Sequence, residues 1–494
     1  MELRAVTEPP VDGGGVTSDP MSAEDAALLY AEAPGTQLQI GALCFFEAAP
    51  LRDRRGRLRL TALRSHVEAR LAGLARFRQR IMRVPGDLAA PRWVDDEAFD
   101  VSRHTPHVRL PGEGGHDELE RFLGGLLARP MDLDHPLWDL HFVEGDLRAP
   151  DASGEPVEAV AVVLRAHHVM ADGLALHAAS TLLLDAAPRP YQRRPRPWSP
   201  RPAPGAAELT LTALTDRARR QVTAVAGLTM ELADPRHLAD RARAAGRMVW
   251  SLPQAGSALA PPTSWNAPVG HERGFTWSTL PMADLLRVKR ACDATLNDVV
   301  LAATTGAVRR SLGSPGRRWR GREPRALIPI GGPAGGSSGG AALGNRFSFT
   351  EVALPTRVDD PLERVRVLHQ RMHAPPAERP GRNLVPYLFS VTDLVPPPLL
   401  RAVIPRVLAH QPLVNLAVSN VPGSRAPLWL WDSRLLGLHP FIDVVGNVAV
   451  IVGVLSYVDT LGVGVTVDPS VVGDPAVVND HLRDATDELV RALD

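Results

Sequence analysis

A segment rich in proline and arginine constrains the fold of this chain more than any other feature. Residues 188–204 contain seven prolines and five arginines. Proline fixes φ and has no backbone N–H, so such a run favours an extended linker over a helix or a central strand. The stretches before and after it are each long enough to bury a hydrophobic core. We therefore expect two folded halves with a linker between them.

Both halves mix strand and helix patterns. Strands are predicted where apolar and β-branched residues cluster, and helices where apolar residues recur every three to four positions. The predicted strands are residues 39–47, 157–164, 326–330, 346–353, 414–419, 448–456 and 461–467. Helices are predicted from Ser22 as N-cap, with helical spacing at residues 63–74 and 119–127, and over residues 174–184, 284–291 and 296–312. This alternation predicts an α+β fold.

The pattern also predicts how the chain is divided. Residues 1–20 are expected to form a flexible arm, and residues 21–187 and 263–494 the two halves. Residues 188–262 are expected to hold the linker and amphipathic helices. One of these helices has an apolar stripe over residues 211–225, with Arg217, Arg219 and Arg220 largely on other faces. Such a helix packs on its own protein or lies on a lipid surface, and the sequence leaves both open.

Composition excludes several classes of protein. The formal net charge is zero, which argues against a dedicated nucleic-acid-binding protein. Lys289 is the single lysine, so a P-loop or Schiff-base lysine has no other candidate. Cys44 and Cys292 lie in apolar surroundings and are expected to be buried free thiols. The longest apolar run, residues 448–455, is too short to span a bilayer, and the N-terminal residues lack the apolar core of a signal peptide. We expect a cytoplasmic protein.

The strongest candidates for catalytic residues follow the predicted strand 157–164. His167 and His168 end the strand, and Asp172 and Gly173 follow in a turn before a helical pattern. Adjacent strand residues point to opposite faces, so one histidine is expected to face an open site and the other the interior. A neutral imidazole suits general-base chemistry near pH 7. Two other interpretations are a structural histidine pair and a metal site, for which His168 and Asp172 supply only two ligands.

These residues carry a resemblance to a known family. His167, His168, Asp172 and Gly173 reproduce the HHxxxDG motif of the CoA-dependent acyltransferase superfamily, which nonribosomal peptide condensation domains share. Further segments resemble the motifs of bacterial wax ester synthase/diacylglycerol acyltransferases. These segments are Pro136-Leu137-Trp138, Asn297-Asp298 within residues 295–300, and Ser419-Asn420 within residues 419–423. The resemblance extends from about residue 20 to the C-terminus.

The resemblance implies a fold and a set of roles. The fold has two chloramphenicol-acetyltransferase-like halves flanking a central substrate channel. His168 is implied as the general base, with His167 in support, and Asp172 and Gly173 as residues that hold the geometry of the motif. Asn297 is implied as a hydrogen-bond donor in the active site. Supporting roles fall to Pro136, Leu137, Trp138, Asp298, Ser419 and Asn420. Helix capping by Asn297-Asp298 and a purely structural Trp138 are the simpler interpretations of those residues.

The implied reaction forms triacylglycerol, wax esters or both. Acyl-CoA is the donor and co-substrate, the acceptor is diacylglycerol or a long-chain alcohol, and no metal or redox cofactor is implied. Such substrates favour peripheral attachment to the inner membrane or to lipid droplets. Two alternatives stay open: a condensation-like acyltransferase that takes its donor from a carrier protein, and a catalytically idle protein of the lipid-droplet surface.

Overall fold

The structure, a computed structural model, describes residues 18–71, 74–170, 184–188, 198–233, 259–313, 322–331, 347–374 and 395–494. Its helices are α1 (Ala23–Ala31), α2 (Ala48–Leu51), α3 (Leu60–Arg70), α4 (Val101–His104), α5 (His116–Leu127), α6 (Ala206–Ala233), α7 (Met282–Ala291), α8 (Leu296–Leu312), α9 (Pro361–His373), α10 (Pro397–Ala409), α11 (Pro469–Val472) and α12 (Pro475–Arg491).

The strands of the first half are β1 (Asp19–Pro20), β2 (Gln39–Glu47), β3 (Gln79–Met82), β4 (Arg92–Asp95), β5 (His107–Arg109), β6 (Trp138–Glu144), β7 (Arg148–Pro150) and β8 (Pro156–His167). Those of the second half are β9 (Gly274–Pro281), β10 (Arg325–Gly331), β11 (Phe347–Ala353), β12 (Leu416–Val421), β13 (Trp429–Leu430), β14 (Ser433–Ile442), β15 (Val450–Tyr457) and β16 (Thr460–Val467). The mixture of helices and sheets confirms the predicted α+β class.

The first large sheet has the order β13-β14-β2-β8-β6-β5, with β7 paired to β8 at one end. Strands β2 and β8 are antiparallel, and Gln39 lies opposite His167. Alternate residues of β2 enter different cores: Cys44 and Phe46 pack on the side of α3, and Leu43 and Phe45 on the side of α5. Helices therefore cover both faces of this sheet. A smaller sheet of order β1-β4-β3 lies beside it.

The second large sheet has the order β11-β10-β12-β15-β16-β9. Strand β12 is parallel to both of its neighbours, β10 and β15, and the other pairs are antiparallel. Helices α7, α8, α9 and α12 pack against one face and form the largest apolar core. Strand β15 contributes Val450, Val452 and Val454 to that core, at the two-residue spacing of a strand face.

Strand β14 joins the two halves, because it follows β13 in the second half yet pairs with β2 of the first. Its backbone also lies directly against β16. A Cβ on Gly462 would come 1.9 Å from the Leu438 carbonyl oxygen, and one on Gly464 would come 1.9 Å from that of Pro440. These distances are far inside van der Waals contact, so only glycine allows this approach of strand to strand.

A buried ion pair adds a second connection between the halves. Arg273, just before β9, donates to the Asp443 carboxylate at the end of β14, and both side chains are fully buried. The same guanidinium donates to the carbonyl oxygens of Gly35 in the first half and Gly270 in the second. Removing either charge would leave its partner buried without compensation, which is strongly destabilising.

Most elements predicted from sequence are present. Strand β2 and helix α8 have the predicted bounds, and Ser22 caps α1 by accepting from the Asp25 N–H at 3.0 Å. Other elements differ at their ends: β8 extends to His167, and β12 begins two residues later than predicted. The helical pattern over residues 63–74 was wrong at its end, because α3 stops at Arg70 and Leu74 lies beyond it.

Other predictions are only partly tested. Cys44 and Cys292 are buried free thiols, as predicted. The helix predicted over residues 174–184 and most of the linker lie outside the described residues. The assignment of the arm, the halves and the linker to separate units stays a prediction. Among the described helices, none combines the length and the apolar character needed to cross a membrane.

Candidate active site

The two histidines lie at the C-terminal end of strand β8. Residues 159–167 are all buried, and His167 is the last residue of the strand. His168 opens a short 3₁₀ turn, His168–Met170. The two histidines therefore leave the strand at the point where the backbone turns, which separates their environments.

Both ring nitrogens of His167 are engaged in the interior. Its Nδ1 accepts from the Val169 N–H at 3.1 Å, so the ring proton is on Nε2, which donates to the Glu32 carboxylate at 2.9 Å. The His167 side chain is fully buried, and Glu32 lies directly after α1. His167 thus ties the turn to α1, and it is the inward-facing histidine that the alternation of strand residues predicted.

His168 is held through its backbone. Its N–H donates to the Leu38 carbonyl oxygen at 2.8 Å. Leu38 has φ of +47°, a left-handed conformation that costs a residue with a Cβ about 1–2 kcal/mol. Such strained positions persist where the surrounding structure fixes them, and they cluster at functional sites. The start of β2 therefore fixes the backbone from which the His168 ring projects.

The His168 ring is neutral over the physiological range. Its burial, and next the proximity of His167, lower the pKa of His168 to about 4. Desolvation disfavours the charged imidazolium. At pH 7 the ring is therefore in its neutral form.

Asp172 and Gly173, the remaining residues of the motif, lie outside the described residues. Their roles in holding the geometry of the motif stay predictions.

The Pro136-Leu137-Trp138 segment lies against the histidine turn. The His167 N–H donates to the Leu137 carbonyl oxygen at 2.9 Å. Trp138 is almost fully buried, and its indole N–H donates to the Phe77 carbonyl oxygen at 2.8 Å. Its ring stacks on that of His104 with 4.8 Å between centroids. Trp138 is thus anchored in the interior on the strand beside the histidines, and its supporting role in the site stays a prediction.

The second group of motif residues lies at the start of α8. Thr295 and Asp298 form a capping box: the Thr295 hydroxyl accepts from the Asp298 N–H, and the Asp298 carboxylate accepts from the Thr295 N–H. Asp298 is fully buried and also accepts from His369 Nδ1 at 2.8 Å. Helix capping, the simpler interpretation, therefore holds for Asp298.

Asn297 differs from its neighbour. Its side chain is partly exposed, and its Oδ1 accepts from Asn420 Nδ2 over a long 3.5 Å. Asn420 follows the buried Ser419 on β12. The structure thus brings together two of the predicted site residues, Asn297 and Asn420, from separate elements.

An apolar cluster surrounds the histidine turn. It joins Leu29 and Tyr30 of α1, Leu137, Val169 and, from the second half, Leu400 of α10. Burial raises the pKa of Tyr30 to about 12, so this phenol is neutral at every physiological pH. The described residues beside the turn thus include an apolar cluster, which suits the approach of a hydrocarbon chain.

Two contributors to the site were missed by sequence reasoning. Glu32 lies 135 positions from His167, and no spacing rule relates them. Leu38 acts through its carbonyl, for which a side-chain pattern gives no signal.

Comparison with protein families gives two adjacent matches. The model of the wax ester synthase/diacylglycerol acyltransferase catalytic domain matches residues 21–300, and that of the WS/DGAT C-terminal domain matches residues 343–490. The chain is 30% identical over 475 residues to a Mycobacterium tuberculosis protein named "Probable diacyglycerol O-acyltransferase tgs1", with 94% of each chain covered.

Comparison with solved structures identifies the fold. The wax ester synthase/diacylglycerol acyltransferase from Marinobacter aquaeolei VT8 aligns with a TM-score of 0.62 and 21% identity, over 96% of this chain and 99% of that one. The first condensation domain of the CDA synthetase aligns with a TM-score of 0.55 and 16% identity, over 96% of each chain. Both alignments show the two-halved architecture that the sequence predicted.

Proposed function

Because the chain belongs to the wax ester synthase/diacylglycerol acyltransferase family, we propose that it is an acyl-CoA-dependent O-acyltransferase with His168 as its general base. The donor is acyl-CoA, and the acceptor hydroxyl belongs to diacylglycerol or to a long-chain alcohol. The products are triacylglycerol or wax ester, and CoA.

The proposed reaction passes through a tetrahedral intermediate and forms no covalent bond to the protein. The His168 ring takes the proton of the acceptor hydroxyl as its oxygen bonds to the thioester carbonyl carbon. The tetrahedral oxyanion then collapses, the C–S bond breaks, and the CoA sulfur takes the proton back from His168. No acyl-enzyme is needed, because the base activates the acceptor directly. Asn297 is proposed as a hydrogen-bond donor to the substrate through its amide Nδ2.

One observation carries the assignment of the base. His167 uses both ring nitrogens inside the protein, one with Glu32 and one with the Val169 N–H. Of the two histidines, His168 is therefore the one suited to proton transfer. Its lowered pKa supports the role by keeping the ring unprotonated.

The substrates are tested by a matrix of donors and acceptors with the purified full chain. Palmitoyl-CoA is supplied with hexadecanol or with dipalmitoylglycerol, and palmitoyl-carrier protein is supplied with the same acceptors. We expect ester from palmitoyl-CoA, and the ratio of the two esters identifies the preferred acceptor. Ester from the carrier-bound donor alone would favour the condensation-like alternative, and no ester from a folded protein would favour the idle surface protein.

Attachment to a lipid surface is proposed through helices α6 and α10. Both contact the same turn: Arg217 of α6 donates to the Leu88 carbonyl oxygen at 2.6 Å, and Arg401 of α10 donates to Asp87 at 2.6 Å. Large apolar side chains on this turn and on the two helices are exposed. They are Leu88, Leu211, Leu214, Val222, Leu399, Val403 and Val407. Helix α10 has two arginines and no acidic residue, which suits an anionic interface.

Flotation with vesicles of phosphatidylcholine and phosphatidylglycerol tests this surface. The double substitution Val403→Asp and Val407→Asp is expected to lower the bound fraction several-fold. Val477→Asp, at an equally exposed valine on α12, is the control and is expected to leave binding unchanged. Equal binding of all three proteins would remove α10 from the proposed interface.

A further inference from the structure

A pair of histidines on α9 lies outside the proposed reaction. His369 and His373 are four residues apart on the last turns of the helix, and their ring centroids are 4.1 Å apart. Four-residue spacing places two side chains on one helix face, the spacing by which helices present histidine pairs to metal ions. The two histidines and Asp298 of α8 have ligand atoms within 4.8 Å of one another.

The hydrogen bonds of the pair fix the protons on the rings. His369 Nδ1 lies 2.8 Å from the Asp298 carboxylate, and His373 Nδ1 lies 2.8 Å from the His369 carbonyl oxygen. Both of these partners accept hydrogen bonds, so each Nδ1 carries the proton and each neutral ring has its lone pair on Nε2. Metal-binding histidines in proteins show this arrangement, in which the second nitrogen donates to a carboxylate or a carbonyl.

Asp298 supplies a second, independent observation. Its side chain is 1% exposed. The Oδ2 atom accepts from Thr295 and His369, whereas Oδ1 has no hydrogen-bond partner within the described part of the chain. A buried carboxylate is costly to keep charged, and an ion bound on the far side of the His369 ring would help to compensate that charge.

We propose that His369, His373 and Asp298 form a site for a divalent transition-metal ion, with Zn²⁺ as the occupant. The histidines bind the ion through Nε2, Asp298 holds the His369 ring and compensates the charge, and water completes the coordination. Imidazole ligands favour zinc over magnesium or calcium, which prefer sites built from oxygen. The His373 side chain is exposed, so the ion can enter from solvent.

The site would connect the end of α9 to the start of α8. The same Asp298 closes the capping box of α8, the helix that begins with Leu296 and Asn297. An ion held by the two α9 histidines would fix the His369 ring and, through its bond to Asp298, the helix start that carries a proposed active-site residue. This coupling goes beyond the proposed acyl transfer, which needs no metal.

Zinc binding by the full chain, without a polyhistidine tag and after dialysis against chelator, is the direct test. We expect titration calorimetry to show one Zn²⁺ per chain, and Co²⁺ to give the visible absorption of a nitrogen-ligated ion. His369→Gln and His373→Gln are each expected to weaken Zn²⁺ binding at least about tenfold. Zn²⁺ at a concentration that just saturates the wild-type protein should raise its melting temperature more than that of either variant.

His410 provides the matched control. It ends α10 much as His373 ends α9: it is exposed, and its Nδ1 contacts the carbonyl oxygen of the residue four positions earlier, Arg406, at 3.0 Å. His410→Gln is expected to bind Zn²⁺ like the wild type. The proposal is overturned if the wild type binds no Zn²⁺, or if the two α9 variants bind it as tightly as His410→Gln does. Because the His373 side chain is exposed, His373→Gln is expected to fold like the wild type, so weaker Zn²⁺ binding by this variant reports on the site itself.

Discussion

The histidine turn of the first half and the start of α8 in the second half are held in different ways. His167 and His168 are fixed by contacts from distant elements: Glu32 after α1, Leu38 before β2 and Leu137 before β6. The start of α8 is fixed by its own residues, through the Thr295–Asp298 capping box, together with one contact from the distant His369. Substitutions that free the histidine turn should therefore lower activity most, and loss of the α8 cap should lower stability with little effect on activity.

Substitution of Glu32 is expected to give the largest loss of activity. Glu32→Ala removes the acceptor of His167 Nε2 and frees the turn, and a misplacement near 1 Å costs about 100-fold in rate. We expect kcat for ester formation to fall by about that factor, and the buried His167 N–H left without its acceptor should also lower the free energy of unfolding by about 1–3 kcal/mol. Glu32→Gln retains an oxygen acceptor and is expected to restore most of the rate. Equal loss in both variants would mean that the carboxylate charge, and not the position of the turn, is what matters.

The pH dependence of kcat/KM tests the environment of His168 in the same turn without any substitution. Burial lowers the pKa of His168 to about 4, so the ring loses its lone pair only as the pH falls through that value. At pH 5.5 an unshifted histidine would be about 90% protonated, whereas His168 is still neutral. We expect activity to persist at pH 5.5, with its acid limb near pH 4–5. A limb near pH 6.5 would place the base in an exposed environment.

The same shift affects stability. The pKa of His168 is lower in the folded state than in the unfolded state, and that of the buried His439 is lowered to about 4 in the same way. The unfolded state therefore binds more protons between about pH 6.5 and pH 4. The contribution of both histidines to stability is complete above pH 6.5 and is lost as the pH falls toward 4.

Asn297 is expected to give a smaller change in activity. Asn297→Ala removes a neutral hydrogen-bond donor worth about 0.5–1.5 kcal/mol, which corresponds to a reduction of up to about tenfold in kcat/KM. Its only described hydrogen bond, to Asn420, is long, so the melting temperature should change little. A large loss of stability with unchanged kinetics would assign Asn297 to the scaffold. Initial rates at several acceptor concentrations separate the two outcomes.

Substitution of Thr295 is expected to change the catalytic rate least, and it tests how the start of α8 is held. Thr295→Ala removes the N-cap of α8 and should lower the free energy of unfolding by about 1 kcal/mol, with kcat almost unchanged. Thr295→Ser retains the hydroxyl and serves as the control. Denaturant unfolding followed by circular dichroism measures both variants. Loss of activity in Thr295→Ala without loss of stability would show that α8 is held from a distance after all.

Local patterns account for the parts of the fold that the sequence predicted. The bounds of β2 and α8 follow from apolar periodicity and from a capping residue, which act within a few positions. The pairing of β14 with β2 joins residues almost 400 positions apart and depends on glycines of β16 that have no local signature. Such pairing is fixed by the packing of the whole molecule, so a single sequence does not show it.

The site follows the same rule. Adjacent histidines at a strand end were enough to predict that one faces inward, because the side-chain alternation of a strand is local. The residue that holds the inward histidine, Glu32, comes from another element and had no signal in the sequence. The spacing of His369 and His373 is visible in the sequence, but Asp298 lies 71 positions from His369, so the cluster required the structure.

The proposal that His168 is the general base is tested most directly by chemical rescue of His168→Ala. We expect kcat for ester formation from palmitoyl-CoA to fall at least about 100-fold in this variant, with an unchanged circular dichroism spectrum. Added imidazole should restore part of the rate, in proportion to the concentration of its neutral form. A His168→Ala protein that retains more than about a tenth of the wild-type rate would contradict the assignment of His168 as the base.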